Sequence, residues 1–309
     1  MHTRLLPRLI MPYTRRELPG WGRLLGLAGA YRHEDWKGAG TVQVRDKWHG
    51  YLMTLDLADA WDRTAYFLAR YHELPSQLLM REALRPGDTF VDVGANTGKL
   101  TLLGAGCVGP RGRVYAFEPN PHLFARLTAD VHANHLNHVH LHPAGLGDAQ
   151  AELVLKVLGG EGLLGTFAEH AGSEDQPVTS EHRVQVLPGD EVLADAPDAP
   201  MAIKIDVEGF ECRVLKGLTR TLSRRPLVLT EAVPQWLERA GSSIAELFEL
   251  MTSRGYSASA IGAARRPLQH RLTLRPVAAA GDLRDTDLLW IHPESPFAKR
   301  IRGECFLPA

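Results

Sequence analysis

A glycine-rich turn is the segment of this sequence whose residue types and spacing best suit ligand binding. Asp92, Gly94 and Gly98 form the pattern Asp-x-Gly-x-x-x-Gly at the end of a short β-branched run. Glycines in such a turn accept positive φ angles and let the backbone approach a ligand closely. In open α/β sheets, ligands bind beyond the carboxyl ends of the strands. The pattern therefore predicts a binding pocket at this strand–helix turn.

Three kinds of ligand could occupy such a turn. A dinucleotide fingerprint requires Gly-x-Gly-x-x-Gly, but Asn96 stands where its second glycine should be. A phosphate-binding loop is longer by one residue, and Leu100 here replaces its magnesium-binding hydroxyl residue. The third ligand is a nucleoside without phosphate, such as S-adenosylmethionine. We favour the third and keep a nucleotide- or NAD-dependent enzyme on a similar sheet as the alternative.

An acid after the next strand supports this choice. Glu118 follows Gly98 by 20 residues, and an acid at this place can accept hydrogen bonds from a ribose diol. Asp92, beneath the turn, is expected to hold the cofactor's amino-acid end or the loop amides. Asp148 is expected to contact the adenine amino group, although an ordinary loop acid is an equal alternative. The predicted cofactor-binding residues are Asp92, Gly94, Asn96, Gly98, Glu118, Asn120 and Asp148.

Three further carboxylates follow later strands and are the candidate catalytic residues. Asp206, Glu208 and Glu231 are expected to face the same crevice as the glycine turn. Such groups can act as a general base toward a substrate hydroxyl or bind a hard cation such as Mg²⁺. Asp206 and Glu208 could instead only cap the next helix. Whether a base or a metal is used stays open. Lys204 must reach the surface or pair with a carboxylate.

Alternating strands and helices must position these residues. They predict a doubly wound, mostly parallel Rossmann-like sheet in a domain spanning residues 85–309. Residues 1–84 are predicted to form an N-terminal extension or cap. It contains a hairpin from 41–44 and 51–57 and two helices divided at Pro75. Residues 159–181 are expected to form a mobile loop near the active face. Predicted strands are 89–93, 113–117, 139–142, 202–205, 227–230 and 287–291, and predicted helices are 99–108 and 119–137.

Composition excludes several function classes. A net charge of −1 over 309 residues provides no overall field that would attract nucleic acid. Three scattered cysteines indicate reduced thiols and a cytoplasmic location, and no apolar run is long enough for a transmembrane segment. The arginine-rich N-terminus is interpreted as a solvated extension, with weak membrane-surface binding as the alternative. Composition does not indicate an oligomeric state.

The sequence resembles the FkbM family of methyltransferases. The resemblance covers about residues 73–235 and depends on three segments that occur in the expected order. They are residues 91–98, 116–121 and 203–211. The third segment reads Ile-Lys-Ile-Asp-Val-Glu-Gly-Phe-Glu. The resemblance implies an S-adenosylmethionine-dependent enzyme that methylates a hydroxyl of a small molecule such as a sugar, glycolipid or polyketide-type metabolite. Glu73 resembles an acid that the family often carries upstream of the glycine turn.

Overall fold

The computed structural model describes residues 5–158, 165–167, 177–266, 269–278, 286–301 and 306–308. The α-helices in chain order are α1 (Leu5–Thr14), α2 (Trp21–Leu27), α3 (Ala60–Leu68), α4 (Leu74–Ala83), α5 (Lys99–Val108), α6 (Pro121–Ala133), α7 (Gly189–Val192), α8 (Glu211–Lys216), α9 (Thr219–Leu222), α10 (Pro234–Arg239) and α11 (Ile244–Thr252). Short 3₁₀ helices span His33–Trp36 and Pro296–Lys299.

The strands in chain order are β1 (Thr41–Arg45), β2 (Leu52–Asp56), β3 (Thr89–Val93), β4 (Arg113–Phe117), β5 (Val139–His142), β6 (Ala144–Gly147), β7 (Ala151–Leu158), β8 (Gly165–Thr166), β9 (Val178–Pro188), β10 (Met201–Ile205), β11 (Leu227–Ala232), β12 (Ser257–Arg266), β13 (Gln269–Val277), β14 (Thr286–Ile291) and β15 (Phe306–Pro308).

A nine-stranded sheet forms the centre of the molecule, in the order β15-β13-β12-β14-β11-β10-β3-β4-β5. The pairings β10–β11, β10–β3, β3–β4 and β4–β5 are parallel. β14 and β13 run antiparallel to their neighbours. Seven of the nine strands described in this sheet therefore point the same way, which confirms the predicted doubly wound, mostly parallel architecture.

The central strands are apolar on both faces because helices cover both sides of the sheet. Every residue of β3 and of β10 is buried. Successive residues point to opposite faces: Phe90 and Ala202 join one hydrophobic cluster, whereas Val91 and Ile203 join the other. This double burial explains why short continuous apolar runs, bounded by glycine and proline, predicted these strands correctly.

The N-terminal segment packs onto this sheet. β1 and β2 form the expected antiparallel hairpin, and Met53 and Leu55 of β2 share a hydrophobic cluster with Leu78 of α4 and Leu103 of α5. Two helices follow as predicted, but Pro75 lies in the first turn of α4, where proline is well tolerated. The break is at residues 69–73 instead. The boundary at residue 85 stays a prediction.

A second sheet, in the order β6-β9-β7-β8, was not predicted. Part of the proposed loop 159–181 belongs to it: β8 pairs with β7, and β9 begins at Val178. The loop prediction was wrong for these residues, because pairing with β7 satisfies their backbone groups. Residues 159–164 and 168–176 of the proposed loop lie outside the described residues.

The strand order creates a crevice between β3 and β10. From β3 the chain moves outward to β4 and β5, and it later returns to β10 on the opposite side of β3. The connections that leave β3 and β10 therefore diverge at their carboxyl ends, and ligands bind at such a topological switch point in open α/β sheets.

Candidate active site

A cavity of about 680 Å³ occupies this switch point. Its walls come from the glycine turn after β3, the ends of β4, β10 and β11, and the N-terminal segment around α3 and residues 71–73. Its volume falls within the usual range for small-molecule sites. We call the region around residues 94–98 and Glu118 the turn end, and the region around Asp206, Glu208 and Glu231 the carboxylate end.

Gly94 sits where the turn touches the neighbouring strand. Its φ is 78°, and a Cβ added there would lie 1.9 Å from the backbone oxygen of Asp206. No side chain fits in that space. Gly98 likewise has a φ of 81°, and an added Cβ would meet Leu127 Cδ1 at 2.4 Å. The two glycines thus hold the turn tightly against β10 and α6, and the glycine requirement inferred from the sequence has a steric cause.

Glu118 closes the turn end. The backbone amide of Asn96 donates to its Oε2 at 2.7 Å, and that of Asn120 donates to its Oε1 at 2.8 Å. Burial raises the pKa of Glu118 to about 7, although the backbone donors of Asn120 and Asn96 act in the opposite direction. The side chain lines the cavity. Each carboxylate oxygen keeps a second acceptor site, so Glu118 can also accept hydrogen bonds from a ligand.

Both predicted asparagines also line the cavity. Asn96 adopts a φ of 52°, and its Oδ1 accepts from the amide of Thr97 at 2.7 Å. Asn120 caps α6, because its Oδ1 accepts from the amide of His122 at 3.0 Å. Asparagine tolerates left-handed backbone and favours helix N-caps. These two residues therefore shape the turn end through the backbone.

Asp92 lies behind the turn and is fully buried. The hydroxyl of Thr101 donates to its Oδ2 at 2.6 Å, and Lys204 Nζ lies 3.9 Å from its Oδ1. Burial raises the pKa of Asp92, and Lys204 opposes that rise. Asp92 is not among the described residues that line the cavity. It supports the turn from below, and direct cofactor contact stays a prediction.

The structure does not bring Asp148 to the cavity. This residue follows β6 and lies 3.3 Å from Arg213 Nη1, and both side chains are exposed. Its neighbours Gly145 and Leu146 line the cavity, but Asp148 is absent from the lining that the structure describes. The short strand β6 carries the chain past the site before the acid is reached.

The three candidate catalytic carboxylates converge at the carboxylate end. Carboxylate oxygens of Asp206, Glu208 and Glu231 lie within 4.8 Å of one another. Lys204 Nζ is 2.9 Å from Asp206 Oδ2 and donates to the backbone oxygen of Gly94 at 3.3 Å. The expectation that Lys204 pairs with a carboxylate is confirmed, and its ammonium group links the two ends of the cavity.

Burial, followed by the crowding of like charges, sets the pKa of the carboxyl groups here. Burial and then the Asp206 carboxylate raise the pKa of both Glu208 and Glu231 far above the usual range of a glutamate. Burial also raises the pKa of Asp287, on the neighbouring strand, to about 7. Burial alone would lower the pKa of Lys204, but Asp206 and Asp92 raise it above its usual value. One buried ammonium group thus faces several carboxyl groups, and at neutral pH some of them hold a proton.

Helix capping does not explain Asp206 and Glu208. α8 begins at Glu211, and its N-cap, Phe210, makes no side-chain capping bond. The acid that binds the amides of this turn is Glu211, whose Oε1 accepts from Val207 at 3.1 Å and Gly209 at 3.2 Å. With this structural task assigned to Glu211, the other two carboxylates remain directed at the cavity.

Sequence patterns did not predict several of the residues that line the cavity. The loop before α4 supplies Tyr71, whose hydroxyl donates to Glu73 Oε1 at 2.7 Å, and His72, which stacks on Trp61 at 4.3 Å. Only the family resemblance indicated Glu73. Further lining residues are Lys99, Arg126, Phe167, Phe210 and Trp236. Helical periodicity could place Trp61 on α3 but could not show which side faced a cavity.

The arrangement places a ligand-binding turn directly beside a group of carboxylates, because Lys204 Nζ contacts both Gly94 and Asp206. The turn end offers a narrow backbone cradle and one carboxylate with free acceptor capacity. The carboxylate end offers oxygens that can take up a proton or bind a hard cation. Together the two ends suit transfer of a group from a nucleoside-containing donor to a polar acceptor.

Comparison with known proteins identifies relatives of this segment. Residues 92–258 match the family model described as the methyltransferase FkbM domain. A hexuronic acid methyltransferase, AglP, from Haloferax volcanii is 29% identical over 156 residues, covering 50% of this chain and 59% of that protein. Methyltransferase 1 from Beauveria bassiana is 30% identical over 151 residues, covering 43% of this chain and 59% of that protein. The chain thus spans about three fifths of each relative's length.

Solved structures show more distant similarity. Methyltransferase FkbM from Methylobacillus flagellatus superposes with a TM-score of 0.39 at 16% identity, covering 88% of this chain and 60% of that chain. An O-methyltransferase from Thermotoga maritima gives a TM-score of 0.39 at 13% identity, covering 72% of this chain and 65% of that chain.

Proposed function

The chain belongs to the methyltransferase FkbM domain family, and on that premise we propose that it is an S-adenosylmethionine-dependent O-methyltransferase acting on a hydroxyl group of a small molecule. The observation that carries the proposal is the continuous cavity at the switch point. It joins a glycine turn and Glu118 at one end to Asp206, Glu208 and Glu231 at the other.

The residues at the turn end fit the nucleoside part of this cofactor. Gly94 and Gly98 let the turn pack closely against β10 and α6, and the backbone of residues 94–97 then lines the cavity where the ligand would lie. Glu118 would accept hydrogen bonds from the ribose hydroxyls, and Asn96 and Asn120 would hold the cradle open. The bound cofactor would supply a methyl group on a sulfonium, whose S–CH₃ bond breaks readily because a neutral thioether leaves. The protein's main task is therefore alignment, which can contribute roughly 7–11 kcal/mol to catalysis.

The carboxylate end handles the proton of the acceptor hydroxyl. As the hydroxyl oxygen gains a methyl group, its proton must move to a base. We assign that role to Asp206, because Lys204 at 2.9 Å keeps a compensating positive charge beside it. The raised pKa of Glu208 and Glu231 means that these groups can donate hydrogen bonds and orient the acceptor. Mg²⁺ bound by the same three carboxylates is the alternative way to acidify the hydroxyl.

The acceptor class follows from the walls of this end. Aromatic rings of Trp61, Phe167, Phe210 and Trp236 line the cavity, and such rings provide flat apolar faces beside the polar carboxylates. This mixture suits a hydroxylated ring, as in a sugar, a glycolipid or a polyketide-type metabolite. The name of the Haloferax relative, a hexuronic acid methyltransferase, supports a sugar-type acceptor.

Ligand titration tests the cofactor assignment. Calorimetry of the purified full chain with S-adenosylhomocysteine, NAD and ATP should show saturable binding of S-adenosylhomocysteine alone. Binding of NAD or ATP in its place would overturn the proposal. Glu118→Ala should weaken S-adenosylhomocysteine binding by about tenfold or more, the scale of losing charged hydrogen bonds. Glu238→Ala, which removes an exposed glutamate of α10, is the matched control.

A product screen tests the reaction. Mass spectrometry of reactions with S-adenosylmethionine and hydroxylated metabolites should detect methyl ethers. EDTA followed by added Mg²⁺ distinguishes the two roles of the carboxylates, because a general base keeps its activity in EDTA whereas a metal site loses it and regains it with Mg²⁺. Methylation only of nitrogen or carbon atoms would contradict the O-methyltransferase assignment.

A further inference from the structure

Exposed apolar side chains are concentrated at the N-terminus of the described chain. Seven large hydrophobic residues are exposed among those described, and four of them lie between residues 9 and 31: Leu9, Tyr13, Leu27 and Tyr31, with Leu9 at 76% and Leu27 at 73% exposure. Isolated exposed apolar residues are ordinary, but a local concentration usually marks an interaction surface.

The same segment is basic, and the exposed acids that follow it, Glu34 and Asp35, are paired with Lys37 and Arg32. From residue 5 to residue 32 the sequence contains Arg8, Arg15, Arg16, Arg23 and Arg32 and a single acid, Glu17. Glu17 is buried and accepts from Arg70 Nε at 2.6 Å and Lys47 Nζ at 2.8 Å. It therefore neutralises none of the surface charge. Arg16 and Arg23 are exposed. Leu9 and Tyr13 lie one turn apart on α1, Arg23 and Leu27 lie one turn apart on α2, and the two helices share a hydrophobic cluster. These four residues together with Arg16 and Tyr31 are hereafter the N-terminal face.

The helices that carry this face are anchored from the opposite side. Met11 of α1 and Leu25 of α2 pack with Trp36, Phe67 and Leu68 in a separate hydrophobic cluster. The inner sides of α1 and α2 are thus already buried against α3, and their outer sides have no apolar partner among the described residues. The exposed leucines and tyrosines therefore form a second apolar surface on α1 and α2, in addition to the inner surface that packs against α3.

We propose that the N-terminal face binds the surface of an anionic lipid bilayer. Short helices with exposed leucine and aromatic residues and arginines, but without acids, lie in the headgroup region, where apolar side chains insert and cations meet lipid phosphates. Among the described residues, no helix is long and apolar enough to cross a membrane. Charge complementarity selects an anionic bilayer over a neutral one.

If the proposed function is correct, the position of the N-terminal face would let bilayer binding bring a methyl acceptor to the cavity. His33 follows Tyr31 closely in the chain and lines the cavity, as does Trp61 of α3, which is 47% exposed. A bilayer bound by the N-terminal face would lie beside elements that form one wall of the cavity. An acceptor carried on a lipid could then reach the cavity from the membrane surface.

Vesicle co-sedimentation of the full chain tests the proposal. The protein should sediment with vesicles of phosphatidylcholine mixed with phosphatidylglycerol, more weakly with phosphatidylcholine alone, and less at high salt. Leu9→Ser combined with Leu27→Ser should lower the partition coefficient by about tenfold or more. Val154→Ser combined with Val178→Ser, which changes exposed valines of the second sheet, should leave it unchanged.

A charge-reversal pair separates specific binding from general electrostatics. Arg16→Glu with Arg23→Glu should abolish the preference for phosphatidylglycerol, whereas Arg111→Glu with Arg239→Glu, at exposed positions elsewhere, should preserve it. Circular dichroism confirms that each variant is folded. Equal partition of all variants, or no binding to anionic vesicles, would overturn the proposal. So would a change of oligomeric state in the leucine variant without lipid, because a second copy would then cover the face.

Calorimetry with S-adenosylhomocysteine on the same preparations keeps the two proposals separate. Failure of lipid binding with normal ligand binding rejects only the bilayer contact. Failure of ligand binding with normal vesicle binding rejects only the methyltransferase assignment.

Discussion

At the turn end of the cavity every carboxylate oxygen of Glu118 accepts a backbone hydrogen bond, whereas at the carboxylate end Glu231 Oε2 is buried without a hydrogen-bond partner among the described residues. The turn end is organised by backbone geometry and is complete without a ligand. The carboxylate end collects like charges around one lysine. The turn end is therefore preorganised for its ligand. The carboxylate end keeps carboxyl oxygens whose hydrogen-bond capacity is not used by the protein.

This difference reflects the tasks of the two ends. Binding a constant cofactor benefits from rigid groups that lose no further entropy. Orienting an acceptor hydroxyl benefits from carboxyl groups that keep their proton because burial and like charges raise their pKa, as at Glu208 and Glu231. Unpaired buried carboxyl groups destabilise a free protein, so their presence at this position indicates a functional role.

The largest expected effect comes from filling the turn. Gly94→Ala should abolish cofactor binding in calorimetry, because the new Cβ would lie 1.9 Å from the Asp206 backbone oxygen and must displace β10 or the turn. Gly87→Ala is the matched control, since Gly87 also has a positive φ, of 95°, but has no atom within 4 Å of an added Cβ. Equal effects of the two substitutions would show that backbone conformation matters and close packing does not.

Removing the proposed base should affect turnover and spare cofactor binding. Asp206→Asn should lower kcat by about 10²–10⁴-fold, the usual contribution of general base catalysis, while the Kd for S-adenosylhomocysteine changes by only a few-fold. Single-turnover kinetics measure the first quantity and calorimetry the second. Asp148→Asn, at the exposed acid that lies away from the cavity, should change neither. If the Kd for S-adenosylhomocysteine rose in parallel with the loss of kcat, Asp206 would be a cofactor-binding residue and not the base.

The pH dependence of cofactor affinity should report on Glu118. The pKa of this group is about 7 in the free protein, and hydrogen bonds from ribose hydroxyls require the ionised form. Affinity should therefore be constant above this pKa and fall by up to about tenfold per pH unit below it, because a proton must be released. Glu118→Gln should bind more weakly and remove the slope. An unchanged slope in the variant would assign the titration to another group.

The smallest effect concerns stability. The pKa of Glu231 is raised on folding, so its contribution to stability is greatest below the pKa of an unfolded glutamate, about 4.3, and declines as the pH rises. Glu231→Gln should therefore increase the free energy of unfolding by about 1 kcal/mol at mildly alkaline pH, with little change in acid, while reducing activity. Denaturant titrations at several pH values provide the measurement, with exposed Glu238→Gln as the control. Destabilisation at all pH values would mean that the carboxylate end is structurally satisfied.

Sequence patterns predicted most of the main sheet. Strands β3, β4 and β5 have the predicted bounds because glycine, proline or polar residues mark their ends, and these are local signals. The second sheet was missed because its strands follow one another without the intervening helices that marked the main sheet, and β8 is only two residues long. β12 and β13 were also missed, because their pairing joins segments whose own patterns are weak.

The sequence by itself determined the chemistry available: a turn that only glycine can form, an acid after the next strand, and carboxylates after two later ones. Those features are local, since residue type and a few neighbours set backbone freedom and strand ends. Only the tertiary structure decided which acidic residues line the cavity and which have a structural role. It placed Lys204 Nζ against Gly94, 110 residues away, and gave the amides of the turn before α8 to Glu211. It also placed Asp148 outside the cavity lining and added the loop around Tyr71. The reason is physical: pKa and partner depend on distances between residues far apart in the chain, and burial is a property of the folded whole.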